Sequence, residues 1–187
     1  LNGIPATARD HANRALLDQH LAEVDVALAG AHRAPAEYRE KLAADRDTTE
    51  KMIAKLNTGD QLYLLGYHPE GLGRQDGRAI VAIGNPDTAA NVATFVPGVD
   101  TELNDMPDLM LTRAQALQLA ADELTPDAGD VSVIAWLDYD APEFHNLEDL
   151  NLSPVGHERA DQGAARLDAF VNGLHATHDG QAHYTVV

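Results

Sequence analysis

The side chains that could act as nucleophiles are few in this chain of 187 residues. It has no cysteine, which excludes a cysteine nucleophile, a Cys-ligated zinc site and a disulfide scaffold within it. Ser132 alternates within a predicted strand, and Ser153 precedes a proline in a predicted loop. Neither lies in a Gly-x-Ser-x-Gly turn, the setting that exposes a serine nucleophile between a strand and a helix. We therefore expect no nucleophile among these 187 residues.

Metal-ligand patterns are weak, although the chain has nine histidines. His157-Glu158 matches the start of a His-Glu-x-x-His zinc motif, but position 161 is aspartate, so the spacing fails. Three more histidines, at 175, 178 and 183, lie near a predicted helix end without the spacing of a ligand set. The sequence therefore predicts no metal site and no cofactor.

Charge and composition narrow the class of protein. Asp and Glu outnumber Lys and Arg by 30 to 13, which gives a formal net charge of −17. Phosphate binding needs basic patches, so this balance argues against nucleic acid and against anionic membrane surfaces as partners. No apolar run reaches the length of a membrane span, and no signal peptide is visible after Leu1. These features leave the compartment open.

Hydrophobic periodicity predicts a helical first segment and a strand-rich remainder. The run at residues 131–137 is almost continuously apolar, as expected of a strand buried on both faces, and residues 183–187 also predict a buried strand. The element order predicts a hairpin that leads into a mixed sheet, mostly parallel and covered by helices. The predicted helices are 6–28, 34–56, 111–124 and 157–174, and the predicted strands are 61–67, 78–84, 91–96, 131–137 and 183–187.

Several separated segments carry a family likeness. They are residues 1–5 with Arg9 and Asn13-Arg14, then 95–101, 136–142 and 183–187. In this order they resemble the actinobacterial α/β hydrolases once catalogued as domain of unknown function 1023, over nearly the whole chain. The resemblance implies an α/β-hydrolase-like sheet, mixed and mostly parallel, with flanking helices. Residues 1–58 would be a helical N-terminal extension or cap, and 59–187 the N-terminal part of the hydrolase domain.

The same resemblance implies a serine hydrolase of the esterase, lipase or acyl-hydrolase type. In that family the last strand leads into the nucleophile elbow, and the acid and the histidine follow the serine. This sequence ends before the elbow, so we expect the Ser-Asp-His triad after residue 187. The chain alone would then be inactive. Its partners would be a C-terminal continuation or second fragment that completes the sheet, and an ester-type small molecule or lipid as substrate.

The resemblance also implies half of an oxyanion hole in the 97–101 loop, because one donor comes from the loop after the third strand. The expected donor is the backbone N–H of Val99 or Asp100. Gly98 would let the backbone approach an acyl oxygen closely. The alternative is that Pro97-Gly98 only ends a strand with a turn.

Substrate-entrance residues are predicted in the long loop after the 131–137 strand, because ligands of open α/β sheets bind beyond the carboxyl ends of strands. One alternative is a solvated acidic loop with Trp136 in the core. A calcium loop beginning at Asp138 and Asp140 is weaker still, since it lacks the glycine and the late glutamate that such loops use. The entrance candidates are Gly98, Asp138, Tyr139, Asp140 and Phe144, with His145 beside them.

Two non-catalytic hypotheses remain open from the sequence. The chain could be a fragment that pairs with another polypeptide through its last strand, since an unpaired strand edge is a template for association. It could also be a binding domain on a hydrolase-like fold, because a fold does not determine a reaction.

Overall fold

The elements of the computed structural model lie within a few residues of the predicted ones. The helices are α1 Ala6–Gly30, α2 Ala36–Leu56, α3 Leu111–Asp122 and α4 Pro154–Thr177. The strands are β1 Leu62–His68, β2 Arg78–Ile83, β3 Asn91–Phe95, β4 Val131–Leu137 and β5 His183–Val186. The structure describes residues 3–58, 61–73, 77–98, 101–124, 130–139, 141 and 154–187, with only the backbone for 154–160.

Short helical turns precede two of the long helices, and the sequence pattern did not predict them. Ala31–Arg33 forms a 3₁₀ turn before α2. Leu103–Asp105 forms a second 3₁₀ turn, and Met106–Met110 a π-helical turn that runs directly into α3. Such single π turns are uncommon in proteins. Among the described residues, no helix combines the length and apolar character needed to cross a membrane.

The five strands form one sheet in the order β1-β2-β4-β3-β5. β1 pairs with β2 and β2 with β4 in antiparallel fashion, whereas β3 pairs with both β4 and β5 in parallel. The predicted hairpin and the predicted mixed sheet are therefore confirmed. Since β1, β3, β4 and β5 run in the same direction, their carboxyl ends lie at one edge of the sheet, which we name the carboxyl edge. β2 begins at this edge.

Helices cover both faces of the sheet. β4 is buried along its whole length, as its apolar run predicts. One face packs against α2, α3 and the turns before α3, and its largest buried side chains include Leu64, Met106, Met110 and Leu111. The other face packs mainly against α4 through Phe170 and Leu174, with Ile134 and Trp136 from β4. Each face therefore has a core of its own.

Helix α1 lies along the outer edge of β1, where polar side chains bind the backbone of the strand. The guanidinium of Arg9 donates to the Leu65 carbonyl at 2.7 Å, and the Asn13 amide donates to the Leu64 carbonyl at 2.9 Å. Arg14 donates to the Leu62 carbonyl at 3.0 Å, and Asp10 accepts from the Leu64 N–H at 2.7 Å. These bonds occupy strand groups that would otherwise be free to pair with another chain.

The start of α1 receives its cap from a distant part of the chain. Pro5 precedes the helix and has no side-chain oxygen with which to bind the free N–H groups of the first turn. The buried Asp87, which follows β2, accepts from the Ala6 N–H at 2.6 Å and from the Thr177 hydroxyl at 2.8 Å. Asp87 thereby joins the start of α1 to the end of α4. The division of the chain at residue 58 stays a prediction.

The prediction that residues 183–187 form a buried strand is wrong in its burial. β5 forms as predicted, but within the described residues it lies at the edge of the sheet and pairs only with β3. Tyr184 alone packs partly against the core, whereas Val186 and Val187 are 55% and 57% exposed. A run of five residues rich in β-branched and aromatic side chains predicts a strand, but its burial depends on neighbours that are distant in sequence.

Candidate functional site

The carboxyl edge brings together three of the residues that the sequence places at a site. Gly98 follows β3, and Asp138 and Tyr139 follow β4, which is the parallel neighbour of β3. Loops beyond the carboxyl ends of parallel strands are where open α/β sheets bind ligands. Five other candidates, Val99, Asp100, Asp140, Phe144 and His145, lie outside the described residues.

Two hydroxyl groups hold the carbonyl groups at the start of the 97–101 loop. The Tyr139 hydroxyl donates to the Pro97 carbonyl oxygen at 2.8 Å. The Thr101 hydroxyl donates to the Gly98 carbonyl oxygen at 3.1 Å. Pro97 is buried and Gly98 is exposed, and a Cβ added to Gly98 would meet no atom within 4 Å. Packing within the described residues therefore does not require glycine at this position.

The Tyr139 ring is held on two sides. It stacks on Trp136 with ring centroids 5.8 Å apart and an angle of 16° between the planes. On α4, a Cβ added to Gly163 would lie 3.2 Å from the Tyr139 ring, so the helix backbone approaches the ring closely. Burial also raises the pKa of the Tyr139 phenol above its ordinary value. Tyr139 is thus a packed, protonated hydrogen-bond donor between β4, α4 and the loop after β3.

Asp138 lies between two arginines that the sequence analysis did not identify. Its carboxylate is 3.6 Å from Nε of Arg78 and 3.5 Å from a terminal nitrogen of Arg166. Arg166 also donates to the Asp138 backbone carbonyl at 3.3 Å, and Arg78 pairs with Glu70 at 3.1 Å. The aspartate therefore joins the start of β2, the end of β4 and α4. No local spacing indicates this cluster, because its members are far apart in sequence.

A third arginine contributes charge near the same edge. Arg9 is buried, and its guanidinium lies 5.4 Å from the centroid of the Phe170 ring. Desolvation lowers the pKa of Arg9, and the negative charges of Asp87 and Asp138 partly oppose this shift. Arginine is the most basic of the side chains, so Arg9 keeps its charge under such a shift. Asp138 is thus surrounded by positive charge on several sides.

Other chemistry-bearing side chains have structural partners elsewhere. Ser132 is fully buried and its hydroxyl donates to the Gly84 carbonyl at 3.0 Å, while Ser153 lies outside the described residues. His175 contacts the Tyr184 ring at 4.0 Å between centroids, and His178 bonds to the Ala89 carbonyl at 2.9 Å. Within the described residues, no three His, Asp or Glu side chains gather as a metal site requires.

Comparison with known families agrees with this architecture. A family model described as alpha/beta hydrolase matches residues 73–187, which is more than half of the chain. The chain belongs to the α/β-hydrolase family. In this family one oxyanion donor comes from the loop after the third strand, and residues 97–98 follow the third strand of this chain. Membership also confirms the predicted fold class.

Relatives of this α/β hydrolase are known from Mycobacterium tuberculosis. Two of them are the uncharacterized proteins MT2140, of strain CDC 1551 / Oshkosh, and Rv2079, of strain H37Rv. Each is 34% identical over 202 aligned positions, which cover 96% of the chain and 29% of the relative. The chain therefore spans less than a third of the length of these curated relatives. No solved structure matches the chain.

Proposed function

We propose that this chain is the scaffold half of a serine hydrolase that acts on an ester, lipid or acyl substrate. In this proposal the Ser-Asp-His triad lies after residue 187. The 97–101 loop supplies half of the oxyanion hole through the N–H of Val99 or Asp100, and Asp138, Tyr139, Asp140 and Phe144 line the entrance. Membership of the group once catalogued as domain of unknown function 1023 stays part of the proposal.

One observation supports this proposal most directly. The loop after β3 lies at the carboxyl edge with an exposed glycine, and two hydroxyl groups fix the carbonyl groups beside it. Fixed backbone donors stabilise the negative charge that develops on a carbonyl oxygen during acyl transfer, because they need no reorganisation during the reaction. Family membership supports hydrolysis as the class of reaction in this proposal. No comparison supports a second polypeptide that completes the sheet, and we do not propose one.

The proposal is tested with the full-length polypeptide that contains these residues. We expect a fluorophosphonate probe to label one serine, and we expect hydrolysis of p-nitrophenyl butyrate that the same probe abolishes. Peptide mapping of the labelled protein would place the modified serine within a Gly-x-Ser-x-Gly sequence after residue 187. Clean absence of both labelling and hydrolysis would support a binding domain on a hydrolase-like fold instead.

Gly98→Ala is expected to separate activity from stability. The added methyl group fits the free structure, because no atom lies within 4 Å and the φ angle is not in the left-handed region. We therefore expect a change in unfolding free energy within about 0.5 kcal/mol. An acyl oxygen that binds at this backbone would meet the methyl group, so kcat/KM should fall about 100- to 1,000-fold, comparable to the loss of one oxyanion donor.

Gly30→Ala is the matched control for this experiment. Gly30 ends α1, and a Cβ added there also meets nothing within 4 Å. This variant should keep full activity towards p-nitrophenyl butyrate. Unchanged kcat/KM in Gly98→Ala would contradict a role for the 97–101 loop in binding the acyl group.

A further inference from the structure

We propose that Tyr139 is a positioning residue, whose hydroxyl fixes the Pro97–Gly98 peptide and so sets the direction in which the chain leaves β3 towards the proposed oxyanion hole. This inference rests on the proposed hydrolase function. It gives Tyr139 a more specific role than a place at the substrate entrance. The role is indirect, because the Tyr139 hydroxyl binds the loop, whereas the backbone of the loop would bind the substrate.

The Tyr139 hydroxyl fixes the orientation of the Pro97–Gly98 peptide group. The Pro97 carbonyl oxygen accepts the Tyr139 hydroxyl at 2.8 Å, and none of the described peptide bonds is cis. In a trans peptide the carbonyl and the following N–H point in opposite directions. The Gly98 N–H therefore points away from Tyr139, and it donates to no other group in the described part of the chain. The bond thus fixes the peptide group that directly precedes the proposed oxyanion donors at positions 99 and 100.

The second step is that Tyr139 is itself held in place. Its ring lies between Trp136, which is buried in the core, and the α4 backbone at Gly163. A side chain packed on both sides loses little further freedom when its hydroxyl forms a bond. Tyr139 therefore transmits the rigid geometry of β4 and α4 to a loop that follows a different strand. Preorganised sites depend on this kind of support from surrounding residues.

Protonation of the phenol is the third step. A tyrosine hydroxyl donates to a carbonyl only while it carries its proton. Burial raises the pKa of Tyr139, so the donor persists through neutral and mildly alkaline pH. The bond to Pro97 is therefore present over the whole range in which a serine hydrolase with a histidine base would operate.

The decisive variant is Tyr139→Phe in the full-length protein, since it removes the hydroxyl and keeps the packed ring. We expect kcat for p-nitrophenyl butyrate to fall about 10- to 100-fold, because small misplacements of catalytic groups cost rates of that order. KM should stay within about twofold, because oxyanion donors act mainly in the transition state. Inhibition by n-butylboronic acid, which forms a tetrahedral adduct with the serine, should weaken by the same factor as kcat/KM.

Tyr184→Phe is the matched control. The Tyr184 hydroxyl is buried and has no hydrogen-bond partner among the residues that the structure describes, and Tyr184 pairs with Val92 near the start of β3. Tyr184 lies away from the carboxyl edge. Loss of its hydroxyl should therefore leave kcat and inhibition by the boronic acid unchanged. Both variants remove one phenolic oxygen, but only the Tyr139 oxygen binds the loop after β3.

Thr101→Val gives a second variant with an independent expectation. The Thr101 hydroxyl binds the Gly98 carbonyl, so the two hydroxyls fix the two peptide groups on either side of Gly98. We expect a smaller loss of kcat in Thr101→Val alone. In the double variant, the loss should be smaller than the product of the two single losses, because both changes release the same loop.

The outcomes separate the two proposals. Wild-type protein that neither reacts with the fluorophosphonate probe nor hydrolyses the ester overturns both of them. Active wild-type protein with unchanged kcat in Tyr139→Phe overturns the positioning role and leaves the hydrolase intact. A parallel rise in KM, or a fall in activity explained by a lower fraction of folded protein, also overturns it, because a merely structural tyrosine predicts that result.

Discussion

Replacing His20 with alanine should lower the free energy of unfolding by about 1–3 kcal/mol or more, the loss expected when a buried polar group is left without its hydrogen-bond partner. His20 and Asp45 are 4% and 5% exposed, and their side chains meet at 2.9 Å. The second oxygen of Asp45 accepts the Gly73 N–H at 2.8 Å, so the pair also fixes the turn that follows β1. Without the His20 imidazole, the Asp45 carboxylate would keep only its hydrogen bond from the Gly73 N–H, and its burial leaves little access to water.

Urea denaturation followed by circular dichroism measures this loss, and His11→Ala is its control. His11 lies on the same helix but is exposed, so its removal should change the unfolding free energy by no more than about 0.5 kcal/mol. Asp45→Ala and the double variant complete a cycle in which the two losses should be strongly non-additive. A loss below about 1 kcal/mol in His20→Ala would show that this buried pair contributes little to stability.

Gly84→Ala should destabilise the protein by about 2–5 kcal/mol, from a left-handed backbone and a steric clash together. Gly84 follows β2 with φ of 79°, a conformation that residues with a Cβ rarely adopt. An added Cβ would lie 2.8 Å from the Val131 carbonyl oxygen and 3.4 Å from the Ser132 Cα. Both are backbone atoms of the central strand β4, so neither can move aside without disturbing the sheet.

Two further glycines help to separate the cost of the backbone conformation from the cost of the steric clash in Gly84→Ala. Gly71 has φ of 120° with open space around it, so Gly71→Ala measures the cost of the dihedral alone. Gly30 has φ of −82° in helical geometry and open space, so Gly30→Ala should stabilise by up to about 1 kcal/mol. In thermal unfolding, Gly84→Ala should have the lowest melting temperature, Gly71→Ala an intermediate one and Gly30→Ala the highest. Equal melting temperatures for Gly84→Ala and Gly71→Ala would contradict the clash with β4.

Two elements of the fold follow directly from local sequence pattern. The continuous apolar run at 131–137 predicts a strand buried on both faces, and β4 is one. The two runs around the turn at 68–77 predict a hairpin, and β1 and β2 pair antiparallel. In both cases the side-chain period is a property of neighbouring residues, so a short stretch of sequence contains all the information that is needed.

Contacts between distant segments were not predictable from the same patterns. Arg9 and Asn13 belong to the segments that carry the family likeness, yet nothing in their spacing shows that they bind the edge of β1. The pair of Tyr139 with Pro97 joins residues 42 positions apart. Polar side chains on a helix normally face water, and only the position of β1 beside α1 explains why these are buried.

Residue order by itself thus determined the elements, the hairpin, the parallel tendency of the later strands and the place of the 97–101 loop after β3. The tertiary structure decided that β4 lies between β2 and β3, which brings the ends of β3 and β4 together. It also decided that Tyr139 meets Pro97 and that Asp138 meets Arg78 and Arg166. Strand order depends on how whole faces pack and on which crossovers are allowed, and no single segment of the chain carries that information.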